Sequence, residues 1–106
     1  PGLENHPGYE INKAQTTGFG GMISFAVDSA ETARQILEGV KLIKFAESLG
    51  GTESLITYPI RQTHTDLTAE ECAEKGITDC LLRFSTGIEA TQDLIDDLAQ
   101  AFAAVK

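Results

Sequence analysis

Arg83 is the residue whose type and setting ask most directly for chemistry. It lies inside Cys80-Leu81-Leu82-Arg83-Phe84-Ser85, a run that otherwise reads as a strand. Alternation puts Leu82 and Phe84 on a face packed by helices, and Leu81, Arg83 and Ser85 on the other. A guanidinium on that second face must meet water or an anion, because burying it unpaired is costly. Its planar fork suits a carboxylate held by two parallel hydrogen bonds. One of the chain's own acids could fill that role, or the side chain could lie in water. The strand pattern alone leaves these readings open.

Other candidates are weaker by themselves. Glu47 and Ser48 precede Gly50-Gly51, where the chain turns between two apolar runs. A serine there is by default a turn residue, and the glutamate a solvated loop carboxylate. His64 follows Thr63 and has no Cys, Asp or His at ligand spacing, so it reads as a structural or surface histidine. Cys72 and Cys80 fit neither a zinc spacing nor a disulfide framework. Cys72 is expected on the surface of a helix and Cys80 packed at a strand end, in a reducing compartment. Gly18, Gly20 and Gly21 are followed by a strand and no Lys-Ser/Thr pair, which excludes a P-loop.

Composition narrows the class. The 106 residues fit one domain, and the formal net charge of −8 argues against a nucleic-acid surface. No segment approaches the roughly 20 consecutive apolar residues of a membrane-spanning helix. The chain begins at Pro1 without a start methionine, so it reads as a piece of a longer protein.

Periodicity supplies the elements that would position these residues. His6-Pro7 suggests a helix start with Pro7 in the first helical position. Gly21 to Val27 alternates as a strand, with Ile23, Phe25 and Val27 on its apolar face. Asp28 and Glu31 read as a capping box for a helix whose inward stripe is Ala33, Ile36 and Leu37, with Gly39 at its C-terminal cap. Strands are expected at Lys41 to Ala46, Ser54 to Tyr58 and Cys80 to Thr86, and a short helix from Thr68 to Lys75 closed by Gly76. In the last helix Leu94, Ile95, Leu98, Ala101, Phe102 and Val105 recur at helical spacing, while Asp93, Asp96, Asp97 and Gln100 take the other face. This order predicts an α+β two-layer sandwich: about four strands in a mixed or antiparallel sheet, with helices on one face.

The motifs taken together are more specific than any one of them. Glu47-Ser48-Leu49-Gly50-Gly51-Thr52-Glu53-Ser54-Leu55-Ile56, then Tyr58-Pro59, Thr63-His64 and Leu82-Arg83-Phe84-Ser85-Thr86-Gly87-Ile88-Glu89, closely resemble the C-terminal domain of the pyridoxal-phosphate-dependent cysteine/methionine metabolism enzymes. Pro1-Gly2-Leu3, Gly18 to Phe25 and Asp93 to Leu98 extend the resemblance over nearly the whole chain. Thr86 and Ala90 depart mildly from the pattern, where a small or apolar residue and an acidic helix cap are usual.

The resemblance implies that residues 1–106 are the C-terminal small domain of a fold-type I enzyme. It implies that Arg83 binds the substrate α-carboxylate, helped by Ser48, with Thr63 nearby, and that Glu47 marks chemistry at the γ-carbon. Pyridoxal phosphate would be held by a lysine of the larger preceding domain, so this chain alone is expected to be inactive. The expected whole is a cytoplasmic homotetramer acting on amino-acid substrates. It looks most like cystathionine γ-synthase, with γ- and β-lyases, methionine γ-lyase and O-acylhomoserine sulfhydrylases close behind. A rival of another class is a non-catalytic acidic α+β binding module.

Overall fold

A computed structural model describes residues 1–106. Helix α1 (Tyr9–Gln15) leads into β1 (Met22–Ala26), α2 (Ala30–Gly39), β2 (Lys44–Phe45), β3 (Leu55–Thr57), α3 (Pro59–Gln62), α4 (Ala69–Glu74), β4 (Leu81–Ser85) and α5 (Thr91–Ala103). The strands form one sheet in the order β1-β4-β3-β2. The β1–β4 and β3–β4 pairs are antiparallel and the β2–β3 pair is parallel, so the sheet is mixed. The α+β expectation therefore holds.

Alternation in β4 sets the layers. Leu82 and Phe84 point into a core with Ile56, Ile43, Leu94 and Ala101, against the Ala33, Ile36 and Leu37 stripe of α2. Gly39 contributes closeness rather than a turn. It is the last helical residue, and a Cβ there would come within 3.3 Å of the Ala101 Cβ on α5. The expected left-handed cap is thus replaced by tight contact between helices.

Helix starts moved by one or two residues for local reasons. Ser29, not Asp28, caps α2, because its Oγ accepts the Thr32 N–H at 3.0 Å. Glu31 is left to an exposed ion pair with Arg34. Gly8 is the N-cap of α1, so Pro7 lies outside the helix. Pro59 does more than end β3, since it begins α3. Helix α4 forms where its sequence predicts: Thr68 and Glu71 make a reciprocal capping box, and Gly76 follows at φ 69°. Cys72 is buried on that helix, at 6% exposure, rather than on the surface.

The largest correction concerns Asp97. Placed on the polar face of α5 by spacing, it is only 6% exposed. Its carboxylate accepts the backbone N–H groups of Lys41 (2.9 Å), Leu42 (2.9 Å) and Ile43 (2.8 Å). The chain turns there from α2 toward β2, and those donors have no strand to pair with. This is also why β2 is confined to Lys44–Phe45 instead of running from Lys41.

Candidate functional site

Arg83 occupies the middle of β4 and faces away from the helices, as alternation requires. Register puts it between Ser24 of β1 and Thr57 of β3 in one cross-strand row. The guanidinium is half-buried, and its Nη2 donates to the Glu47 carbonyl and to Thr57 Oγ1, both at 3.3 Å. Nε is buried and makes no hydrogen bond. The ion pairs of this chain join Arg34 to Glu31 and Glu38; none involves Arg83. Of the readings left open by the strand pattern, pairing with an acid of this chain is therefore excluded.

Glu47 and Ser48 lie at the start of the loop between β2 and β3, and both side chains are exposed. The structure brings the Glu47 backbone to Arg83, while the Ser48 side chain makes no hydrogen bond within the chain. Gly50, at φ 70°, takes the left-handed turn, and its N–H donates to Ser85 Oγ at 2.9 Å. That contact corrects a simple view of the sheet's second face. Met22 and Ser24 are exposed there, but Ser85 is 3% exposed beneath this loop, so its hydroxyl is held by the loop and is not open on that face.

The far end of the same loop is tied down by groups that sequence reasoning missed. Ser54 is fully buried; its N–H and Oγ both donate to the Glu89 carboxylate at 2.7 Å, and its Oγ accepts the Gly87 N–H at 2.8 Å. Only glycine fits at 87, since a Cβ would collide with the Thr52 carbonyl. The two Ser54 hydrogen bonds hold the Glu89 carboxyl below the usual carboxylate range. Glu89 is thus spent on the loop, while Ala90 caps α5 without a side-chain bond. No local pattern announces a pairing across 35 residues.

Thr63 makes no hydrogen bond to the arginine. It caps the C-terminus of α3, and its Oγ1 pairs with His64 Nδ1 at 2.7 Å. His64 is partly buried. Cys80 sits half-buried just before β4 with its thiol on Asp79 Oδ1, and burial, that hydrogen bond and nearby carboxylates push its pKa up. Such a thiol is a poor nucleophile. No three His, Cys, Asp or Glu side chains are placed to hold a metal ion.

A mixed four-stranded sheet with helices packed on one face matches the small C-terminal domain of pyridoxal-phosphate enzymes. The family model for Cys/Met metabolism PLP-dependent enzymes matches residues 1–103, and the chain belongs to that family. It is 52% identical over 101 residues to cystathionine gamma-lyase of Bacillus subtilis (strain 168), covering 95% of this chain and 27% of that protein. It is 54% identical over 87 residues to cystathionine gamma-synthase of Haemophilus influenzae, covering 82% of this chain and 24% of that protein. Among solved structures, cystathionine gamma synthase of Xanthomonas oryzae pv. oryzae, in complex with aminoacrylate and cysteine, superposes with a TM-score of 0.91 at 45% identity. That match covers 97% of this chain and 27% of the other. The chain therefore spans about a quarter of the length of the relatives it matches.

The family depends on pyridoxal phosphate. Lys13, Lys41, Lys44, Lys75 and Lys106 are all exposed, and none lines a cavity. A Schiff-base lysine must be held beside the ring. Arg83, Glu47, Ser48 and Thr63 line no cavity either. Incubating the chain with pyridoxal phosphate, reducing with borohydride and mapping peptides should label several surface lysines diffusely. Stoichiometric labelling of one lysine would reveal a cofactor site of the chain's own.

Proposed function

We propose that this chain is the substrate-carboxylate-binding C-terminal domain of a pyridoxal-phosphate enzyme of sulfur amino-acid metabolism. The observation that carries the reading is Arg83. It is a guanidinium on a central strand that forms no ion pair within the chain and whose Nε and Nη1 make no hydrogen bond. A substrate α-carboxylate meets that need with charge-assisted hydrogen bonds. Ser48, at the head of a loop pinned by Ser85 and Glu89, is the further donor for the same group. Bound pyridoxal phosphate supplies stabilisation of a carbanion at Cα, from a lysine outside this chain.

Within the family we favour cystathionine γ-synthase activity, in which cysteine displaces the acyl group of an O-acylhomoserine. Glu47 and the Ile56-Thr57-Tyr58-Pro59 to Thr63-His64 segment are the support for γ-carbon chemistry. The second reading is γ-elimination, favoured by the similarity to the Bacillus subtilis γ-lyase. We place the intact enzyme in the cytoplasm as a homotetramer, and this domain alone as inactive. Supplying the full-length enzyme with O-succinyl- or O-acetylhomoserine and cysteine should yield cystathionine. Release of 2-oxobutyrate from cystathionine without any replacement product would select the lyase reading, and pyruvate would move the chemistry to the β-carbon. Inactivity toward all amino-acid substrates would favour the binding module.

A further inference from the structure

The row that contains Arg83 also contains Thr57, a hydroxyl that sheet packing does not explain. Thr57 is 1% exposed in a three-residue strand, where a valine would fill the same volume and suit a strand equally well. Its Oγ1 donates to the Ala46 carbonyl at 2.7 Å. A hydroxyl has one proton, so toward Arg83 the oxygen can act only as acceptor, and it faces Nη2 at 3.3 Å. The Glu47 carbonyl accepts from the same nitrogen. Both protons of Nη2 thus have partners within the chain, whereas Nε has none and Nη1 makes no hydrogen bond.

The Ala46 bond matters as much as the arginine bond. The Ala46 N–H is already held by the Ile56 carbonyl at 3.1 Å, so Ala46 is fixed from both sides by β3. Glu47 follows directly, and its carbonyl position is set by that anchor. One buried hydroxyl therefore fixes the start of the Ser48 loop and one end of the guanidinium together.

We propose that Thr57 is a positioning residue, which clamps the Nη2 end of Arg83 so that the remainder of the fork is presented to the substrate α-carboxylate in one orientation. A free guanidinium rotates about its stem, and ordering it upon binding would cost affinity that a preorganised fork keeps. The proposal rests on the reading of Arg83 as the carboxylate anchor, and it concerns a residue that never touches substrate.

The test compares glycine with glycinamide, which lacks the carboxylate charge, on full-length holoenzyme, with dissociation constants read from the change in cofactor absorbance. Thr57→Val should weaken glycine about tenfold, in the lower range for a hydrogen bond to a charged group, and leave glycinamide within about twofold. Thr57→Ser should recover most of the loss, because it restores the hydroxyl. Where Thr57→Val gives no soluble holoenzyme, Thr57→Ala serves in the same comparison. Equal weakening of both ligands, or of neither, overturns the proposal, since a merely structural threonine would not distinguish them. Arg83→Ala is run beside it. If that variant separates the two ligands while Thr57→Val does not, the positioning role alone is lost. If Arg83→Ala does not separate them, the carboxylate reading fails as well.

Discussion

Arg83→Ala in the full-length enzyme is expected to lower kcat/KM by at least about a hundredfold. Removing one partner of a desolvated charge pair typically costs about 2–5 kcal/mol, mostly because the other charge is left unpaired. The lower end of that range already corresponds to roughly thirtyfold to a hundredfold. Anchoring both the carboxylate and the amino group of one Cα also orients the bond to be broken, so turnover suffers along with binding. Arg83→Lys should rescue only part of the loss, because an ammonium keeps the charge without the fork. Within this chain Arg83 makes only the two 3.3 Å hydrogen bonds of Nη2, so the melting temperature should barely move. The absorbance of bound cofactor should survive as well, since the proposed function puts its lysine outside the chain. A fully active Arg83→Ala enzyme would show that the carboxylate is held elsewhere.

Asp97→Ala should destabilise the fold by at least about 3 kcal/mol, a large share of the roughly 5–15 kcal/mol available to a domain. Three backbone donors would lose their acceptor at once, that of Ile43 buried and those of Lys41 and Leu42 partly so, and a buried donor left unsatisfied costs about 1–3 kcal/mol. Asp97→Asn should be nearly as damaging. Oδ1 accepts from Lys41 and Gln100, and Oδ2 from Leu42 and Ile43, so either orientation of an amide points its NH2 at donors. Urea unfolding of chains 1–106 measures this as a fall in midpoint at unchanged slope. A loss below about 1 kcal/mol for both variants would mean that water replaces the carboxylate at little cost.

The same residue makes an acid limb of stability. Burial opposes ionisation of Asp97, yet the N–H groups of Ile43, Lys41 and Leu42 and the Gln100 amide outweigh it, and the carboxyl lies below its ordinary value of 3.8. Glu89 is likewise lowered from 4.5. A folded pKa below the unfolded one adds stability that is complete above the ordinary carboxylate range and is lost as pH falls through the folded value. Stability should therefore drop on acidification below about pH 4, and Asp97→Asn should flatten that limb.

Much of the architecture was legible because it is written in short-range periods. Alternation through Leu81–Ser85 placed Leu82 and Phe84 in the core and Arg83 on the opposite face. Thr68, Glu71 and Gly76 bracketed α4 because a capping box and a left-handed glycine act within a few residues. Spacing does not separate Ser29 from Asp28 as the cap of α2, because adjacent residues of equal capping ability differ only in how the backbone enters the helix.

Tertiary structure decided what depends on partners far along the chain. Asp97 belongs to the polar stripe of α5 by spacing, yet it is buried by donors more than fifty residues away. Ser85 alternates onto the open face and is then covered by Gly50, 35 residues earlier. Thr63 adjoins the motif in sequence, and its hydroxyl is held by the neighbouring His64 ring. Thr57, which attracts no attention as a strand residue, comes to Arg83 only through the register of β3 on β4. Periodicity determines which way a side chain points, because that is a property of a few consecutive peptide units. What it meets there is set by which segments the fold brings alongside, and no local pattern carries that.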